Sequence, residues 1–107
     1  LKNLLLSRPP LKEIEKAAEA LDIIDLLDQR AGELSGGQRQ RVLLAQTLLQ
    51  KRPIVLLDEP FKGLDAGNKK RAINFTLSMI NLSKQTLIFT THDEREALFL
   101  DADKVLI

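Results

Sequence analysis

Leu34-Ser35-Gly36-Gly37-Gln38-Arg39-Gln40-Arg41, continued by Val42-Leu43-Leu44-Ala45, is the stretch around which the chain is organised. A serine ahead of two glycines and a run of good helix formers marks an N-cap, with Ser35 placed to accept a hydrogen bond from an early backbone N–H. The first N–H groups of a helix lack partners within it, and the macrodipole is positive there. An anion near Gly36 and Gly37 therefore meets bare donors with no Cβ in the way. Ser35, Gln38 and Arg39 can add side-chain donors, and phosphate suits that end. Taken by itself, Ser-Gly-Gly reads first as an ordinary capped surface helix, because so short a pattern specifies little.

Working outward, the helix is expected from 36 to about 50, with Val42, Ala45, Leu48 and Leu49 on its buried face. Lys51-Arg52-Pro53 closes it with positive charge and a breaker. Ile54-Val55-Leu56-Leu57 then reads as a strand buried on both faces, ending in Asp58-Glu59-Pro60. A glycine-punctuated loop, 61–67, leads into a helix from about 68 to 82, with Ile73, Leu77 and Ile80 towards the sheet and Phe75 and Met79 at its edges. After a turn at 81–84, a second strand spans 86–90 and ends at Thr91-His92-Asp93; a short helix covers about 94–100 and residues 104–107 open a last strand. Strand, helix, strand, helix, strand is the pattern of an α/β fold with a parallel sheet. On the other side, 1–6 is a short apolar stretch broken by Ser7-Arg8-Pro9-Pro10, and 11–21 is an amphipathic helix. Residues 22–28 form a further short helical piece, and 29–33 a loop.

Four motifs in this order, LSGGQRQR, IVLLDEP, GLD and TTHD, closely resemble the second half of an ATP-binding cassette (ABC) ATPase nucleotide-binding domain, and the likeness runs over nearly the whole chain. The resemblance implies a partial P-loop NTPase domain. Residues 1–34 would belong to its α-helical subdomain, and 35–107 to the carboxyl-side part of its RecA-like core. The importer-like flavour comes from EPF, GLD and the spacing His92, Asp93, Glu96, Ala97.

Composition bounds the rest. The 107 residues are one domain or part of one, and 44% hydrophobic residues suffice for a core. Sixteen basic against fifteen acidic residues leave a net charge of +1, so nothing global points to nucleic acid or an anionic membrane surface. Cysteine is absent, which excludes disulfides. No apolar run approaches the ~18 residues of a membrane span, and no signal peptide is evident. The opening at Leu1, not methionine, suggests a segment of a longer chain.

A carboxylate ending an apolar strand is costly to leave unpaired, so Asp58 suits a hard divalent ion such as Mg²⁺ held partly through water. In other company, Asp58 and Glu59 would simply cap a strand before Pro60. The resemblance gives Asp58 to the metal and Glu59 to the attacking water, as polarising group or general base. His92, the one histidine in the chain, would by itself be an ordinary surface or core residue. At this place it resembles the family's switch histidine, which contacts the γ-phosphate; imidazole can donate to a phosphoryl oxygen in either tautomer. Lys62-Gly63-Leu64-Asp65 resembles the D-loop at the cassette interface, although Lys62 stands where the family often has Ser or Thr. Asp65 also fits a plain turn and helix cap.

A phosphate-binding loop, G-x-x-x-x-G-K-[ST], does not occur within the 107 residues. The expectation is that this segment does not hydrolyse ATP unaided. The resemblance implies instead that two cassettes associate head to tail. Ser35, Gly36, Gly37 and Gln38 of one would then cap the γ-phosphate of ATP held by the other, and closure and opening would drive transmembrane permease subunits. ATP and Mg²⁺ are the implied cofactors, and the cytoplasmic face of the cell membrane the implied place. Two other classes stand beside this one: a soluble ABC ATPase of translation or DNA repair, and a non-enzymatic interaction fragment. Translation cassettes typically carry a histidine in the D-loop that is missing here, and residues 11–27 are too short for the coiled coil of repair enzymes.

Overall fold

The two β-branched and leucine-rich runs pair side by side as parallel strands, β1 (Ile54–Asp58) and β2 (Thr86–Thr90), in register Ile54↔Thr86 through Asp58↔Thr90. The computed structural model describes residues 10–100. Before the strands come α1 (Leu11–Ala20), single 3₁₀ turns at Ile24–Leu26 and Ala31–Glu33, and α2 (Gly36–Leu49); α3 (Ala66–Ser83) joins the strands and α4 (Glu94–Phe99) follows them. The expected first apolar stretch and last strand lie outside the described residues.

The alternation of a strand sends Val55, Leu57, Leu87 and Phe89 to one face, where they join the core formed with the helices. Ile54, Leu56 and Ile88 share the other face and are more than half exposed. The expectation of a strand buried on both faces is thus corrected: among the described residues, β1 is covered on one side. The apolar run calls for a second layer, because a parallel sheet hides both faces when complete.

Helix α1 buries Ile14, Ala17 and Ala18, with Leu21 just beyond its end, while Leu11 stays exposed. Its partner α2 buries Val42, Ala45, Leu48 and Leu49 as the spacing requires, and Arg41 and Leu44 as well. Helix α3 differs from expectation at its edge. Phe75 is buried together with Ala72, Ile73 and Thr76, whereas Leu77, Met79 and Ile80 are only partly covered. The contact line on α3 is rotated because α1 and α2 pack beside it, and Thr76 survives full burial by donating its hydroxyl to Ala72 O at 2.8 Å. Lys84, in a left-handed conformation at φ 51°, stops α3 and turns the chain into β2. No helix among the described residues is long and apolar enough to cross a membrane.

Candidate functional site

Helix α2 begins in a capping box. Ser35 Oγ accepts from Gln38 N at 3.2 Å, and Ser35 N donates to Gln38 Oε1 at 3.0 Å. Such a cap is worth about 1 kcal/mol, and it fixes the direction in which the N–H groups after it point. The capping bonds use the acceptor atoms of both side chains. The Ser35 hydroxyl proton and the Gln38 amide remain donors for an anion.

The loop at 61–65 lies against this helix start. A Cβ placed on Gly37 would be 3.6 Å from Gly63 O and 3.6 Å from Leu64 Cδ2. Gly63 turns the loop at φ 80°, a conformation side chains disfavour. Asp65 caps α3, with Oδ1 accepting from Asn68 N at 2.8 Å and Oδ2 from Asn68 Nδ2 at 3.0 Å. Arg41, buried, ties these pieces together. Its Nη1 donates to Leu21 O at 3.0 Å, Asp22 O at 3.3 Å and Asn68 Oδ1 at 3.1 Å, and its Nε to Gly37 O at 3.3 Å. A guanidinium's fixed fork of donors satisfies several elements at once, which offsets the cost of burying the charge.

A second group gathers at the carboxyl ends of β1 and β2. Thr90, opposite Asp58 in the ladder, donates to Asp58 Oδ1 at 2.6 Å and accepts from Glu59 N at 2.9 Å. Glu59 sits at φ 48°, in the left-handed region. Its carbonyl accepts from Gln40 Nε2 at 2.9 Å, and its Oε1 lies 3.1 Å from His92 Nε2. The His92 side chain is 94% exposed and that of Glu59 24%, so the pair opens to solvent from the imidazole side. No basic side chain pairs with Asp58 among the described residues, which suits an oxygen-seeking cation. Equally, no group of three or more His, Cys, Asp or Glu among those residues could hold a metal by itself.

Asp58, Glu59 and His92 are therefore brought together at the strand ends, whereas Ser35, Gly36, Gly37 and Gln38 open α2 and Asp65 caps α3, the two linked where Gly63 and Leu64 lie against Gly37. Gln40, one turn into α2, reaches from that helix to Glu59. Gln40, Arg41 and Thr90 carry these links without having been singled out as site residues by the sequence. The one signal available was a hydroxyl in register with Asp58, legible only after the strands are paired.

Beside the histidine, Asp93 caps α4 by accepting from Arg95 N at 2.9 Å. The Arg95 side-chain hydrogen bond, followed by the backbone one, holds the Asp93 carboxyl below its ordinary value. Lys69 lies 3.7 Å from both Asp93 and the buried Glu96, which accepts from the Thr91 hydroxyl at 2.7 Å. A depressed folded-state value means that this stabilisation is complete above the unfolded value and is lost as pH falls through the folded one. Protection of the amides across Glu94–Phe99, taken relative to their intrinsic exchange rates, is expected to fall selectively below about pH 4, so that exchange accelerates against that reference. Asp93→Asn, which keeps the capping oxygen but does not titrate, should remove that acid dependence; equal acceleration in both proteins would contradict it.

The family model described as ABC transporter matches residues 6–62, just over half the chain. The chain belongs to the ABC transporter family. The matched span contains the α2 start, Asp58 and Glu59, while Asp65 and His92 lie beyond it. The thiamine import ATP-binding protein ThiQ of Histophilus somni is 41% identical over 96 residues, covering 90% of this ABC chain and 45% of its own length. The ThiQ of Haemophilus ducreyi is 47% identical over 88 residues, 80% of this chain and 41% of its own. The sulfate/thiosulfate import ATP-binding protein CysA of Mesorhizobium japonicum is 43% identical over 105 residues, 94% and 30%. This ABC chain thus spans less than half the length of these relatives. Among solved structures, an inward-facing ABC transporter of metal-chelate type matches with a TM-score of 0.65 and 28% identity over 82% of this chain and 36% of its own. The ADP conformation of an ATP-binding cassette matches with 0.56 and 27% over 85% and 37%. Both support the α/β, P-loop NTPase type of fold.

Proposed function

We propose that this chain is the carboxyl-side part of the ATP-hydrolysing, energy-coupling subunit of an ABC importer. The observation that carries the reading is the meeting of Glu59 with His92 at the strand ends, beside Asp58, whose Oδ1 accepts from the Thr90 hydroxyl. Glu59 is the general base for the attacking water, His92 the donor to the γ-phosphate, and Asp58 the carboxylate that supports Mg²⁺. Bound Mg²⁺ would neutralise charge on the phosphates. Ser35, Gly36, Gly37 and Gln38 present the positive end of α2 to the γ-phosphate of ATP held by a second cassette, with Asp65 in the loop beside it.

Residues 1–34 are assigned to the helical subdomain and 35–107 to the ATPase core. The face of Ile54, Leu56 and Ile88, exposed among the described residues, supports a further layer over the sheet. Transmembrane permease subunits are the partners through which closure would move solute, at the cytoplasmic face of the cell membrane, with no role for nucleic acid. Relatives named for thiamine and for sulfate resemble this segment to similar degrees, so the cargo is written in other chains.

Phosphate release measured with the full-length protein is expected to require ATP and Mg²⁺, and residues 1–107 made separately are expected to release none above blank. Turnover by the separate segment would contradict the division between halves. Its absence from the full-length protein would contradict the ATPase reading.

A further inference from the structure

We propose that Gln40 and Thr90 are positioning residues that clamp the Glu59 peptide from both sides, holding it in the left-handed conformation from which its carboxylate meets His92. Glu59 is not glycine, yet it stands at φ 48°. An L-residue at such a φ crowds its Cβ against its own carbonyl, a strain that surrounding bonds offset. Two side chains supply them, beside a turn bond in which Lys62 N donates to Glu59 O at 3.2 Å. Thr90 Oγ1 accepts from Glu59 N at 2.9 Å on one side of the residue, and Gln40 Nε2 donates to Glu59 O at 2.9 Å on the other.

The two holds come from different elements, and that gives the clamp its consequence. Thr90 ends β2, and its hydroxyl proton goes to Asp58 Oδ1 at 2.6 Å, so one hydroxyl sets both the carboxylate proposed for the metal and the backbone of the proposed base. Gln40 belongs to the helix whose first residues are proposed to meet a neighbouring molecule's nucleotide. A shift of α2 therefore pulls on the Glu59 carbonyl through a single side chain 19 residues away in sequence. Were either bond lost, the peptide would relax towards the ordinary region of φ and the Glu59 side chain would swing from His92. The clamp rests on the reading of Glu59 as general base, although its geometry can be tested apart from that reading.

The test uses the full-length protein. Thr90→Val keeps the β-branched shape that a strand favours and removes only the hydroxyl; Gln40→Glu keeps the length and removes the donor. Each is expected to lower kcat about 10-fold with KM for ATP changed less than about 2-fold, and Thr90→Ser is expected to restore most of the rate. In a Glu59→Gln background, single-turnover rates are expected to show no further loss from Gln40→Glu, because Gln40 reaches only the Glu59 carbonyl and has nothing left to position. A purely structural role would reduce both backgrounds equally, and that result would overturn the proposal. Independently of turnover, the Glu59 amide is expected to exchange faster in Thr90→Val while amides within α2 do not; unchanged exchange at Glu59 would overturn it. If the full-length protein shows no ATP hydrolysis at all, the general-base reading fails, and the exchange measurement still decides the clamp.

Discussion

Replacing Glu59 by glutamine is expected to cut ATP turnover by the full-length protein by roughly 10²–10⁴-fold while leaving nucleotide affinity within a few-fold, the range that loss of a positioned general base produces. The two side chains have the same shape, but an amide cannot take a proton from water. The surroundings should survive the change. Thr90 would still accept from the backbone N–H at 59 and donate to Asp58, and Gln40 would still reach the carbonyl. His92 keeps an oxygen to face, because the glutamine carbonyl can occupy the place of Glu59 Oε1. Phosphate-release rates alongside ATP titrations check this. Near-normal turnover would remove Glu59 from the chemistry, whereas a parallel collapse of nucleotide binding would mark it as structural.

Gly37→Asp should separate folding from function even more sharply. A Cβ at Gly37 meets Gly63 O and Leu64 Cδ2 at 3.6 Å, ordinary van der Waals contact, so the backbone tolerates a side chain. A carboxylate in the first turn of α2 also complements the helix dipole. The thermal midpoint is therefore expected to hold or rise slightly. A γ-phosphate brought to that helix start would instead meet a like charge where it had met bare N–H groups. Like-charge juxtaposition costs several kcal/mol, so ATP-driven association between cassettes is expected to weaken about 100-fold or more. Light scattering with and without ATP measures it. Unimpaired association would show that the glycine pair does not face the nucleotide, and a large fall in midpoint would show that the glycine serves packing.

Much of this was legible in the chain because local rules and tertiary structure agree. Ser35 and Gln38 stand three apart, the spacing of a capping box, and the cap formed there. The apolar runs 54–58 and 86–90 are short, punctuated by proline and glutamine, and pair at those limits. Where a contact depends on which face another element covers, the sequence was silent. Ile54, Leu56 and Ile88 look as apolar as Val55 and Leu87, and composition cannot say that within residues 10–100 only one side has a cover. Phe75 shows the same limit on a helix. Its burial follows from where α1 and α2 lie against α3, a rotation that periodicity leaves open. The links made by Arg41, Gln40 and Thr90 are of a third kind. Each joins residues 19 or more positions apart through polar atoms, and hydrophobic pattern carries no information about such bonds. At the candidate site, residue types were readable from motif order, but the left-handed Glu59 and the bonds to its N–H and its carbonyl emerge only in the fold.

The most direct measurement is a structure of the full-length Glu59→Gln protein bound to Mg²⁺ and ATP. The account predicts that the backbone N–H groups at the start of α2 in one copy lie within hydrogen-bonding distance of the γ-phosphate of ATP carried by its neighbour, with His92 of that neighbour on the same phosphate. A γ-phosphate enclosed by other elements, with the Ser35-Gly36-Gly37 turn facing water, would contradict it.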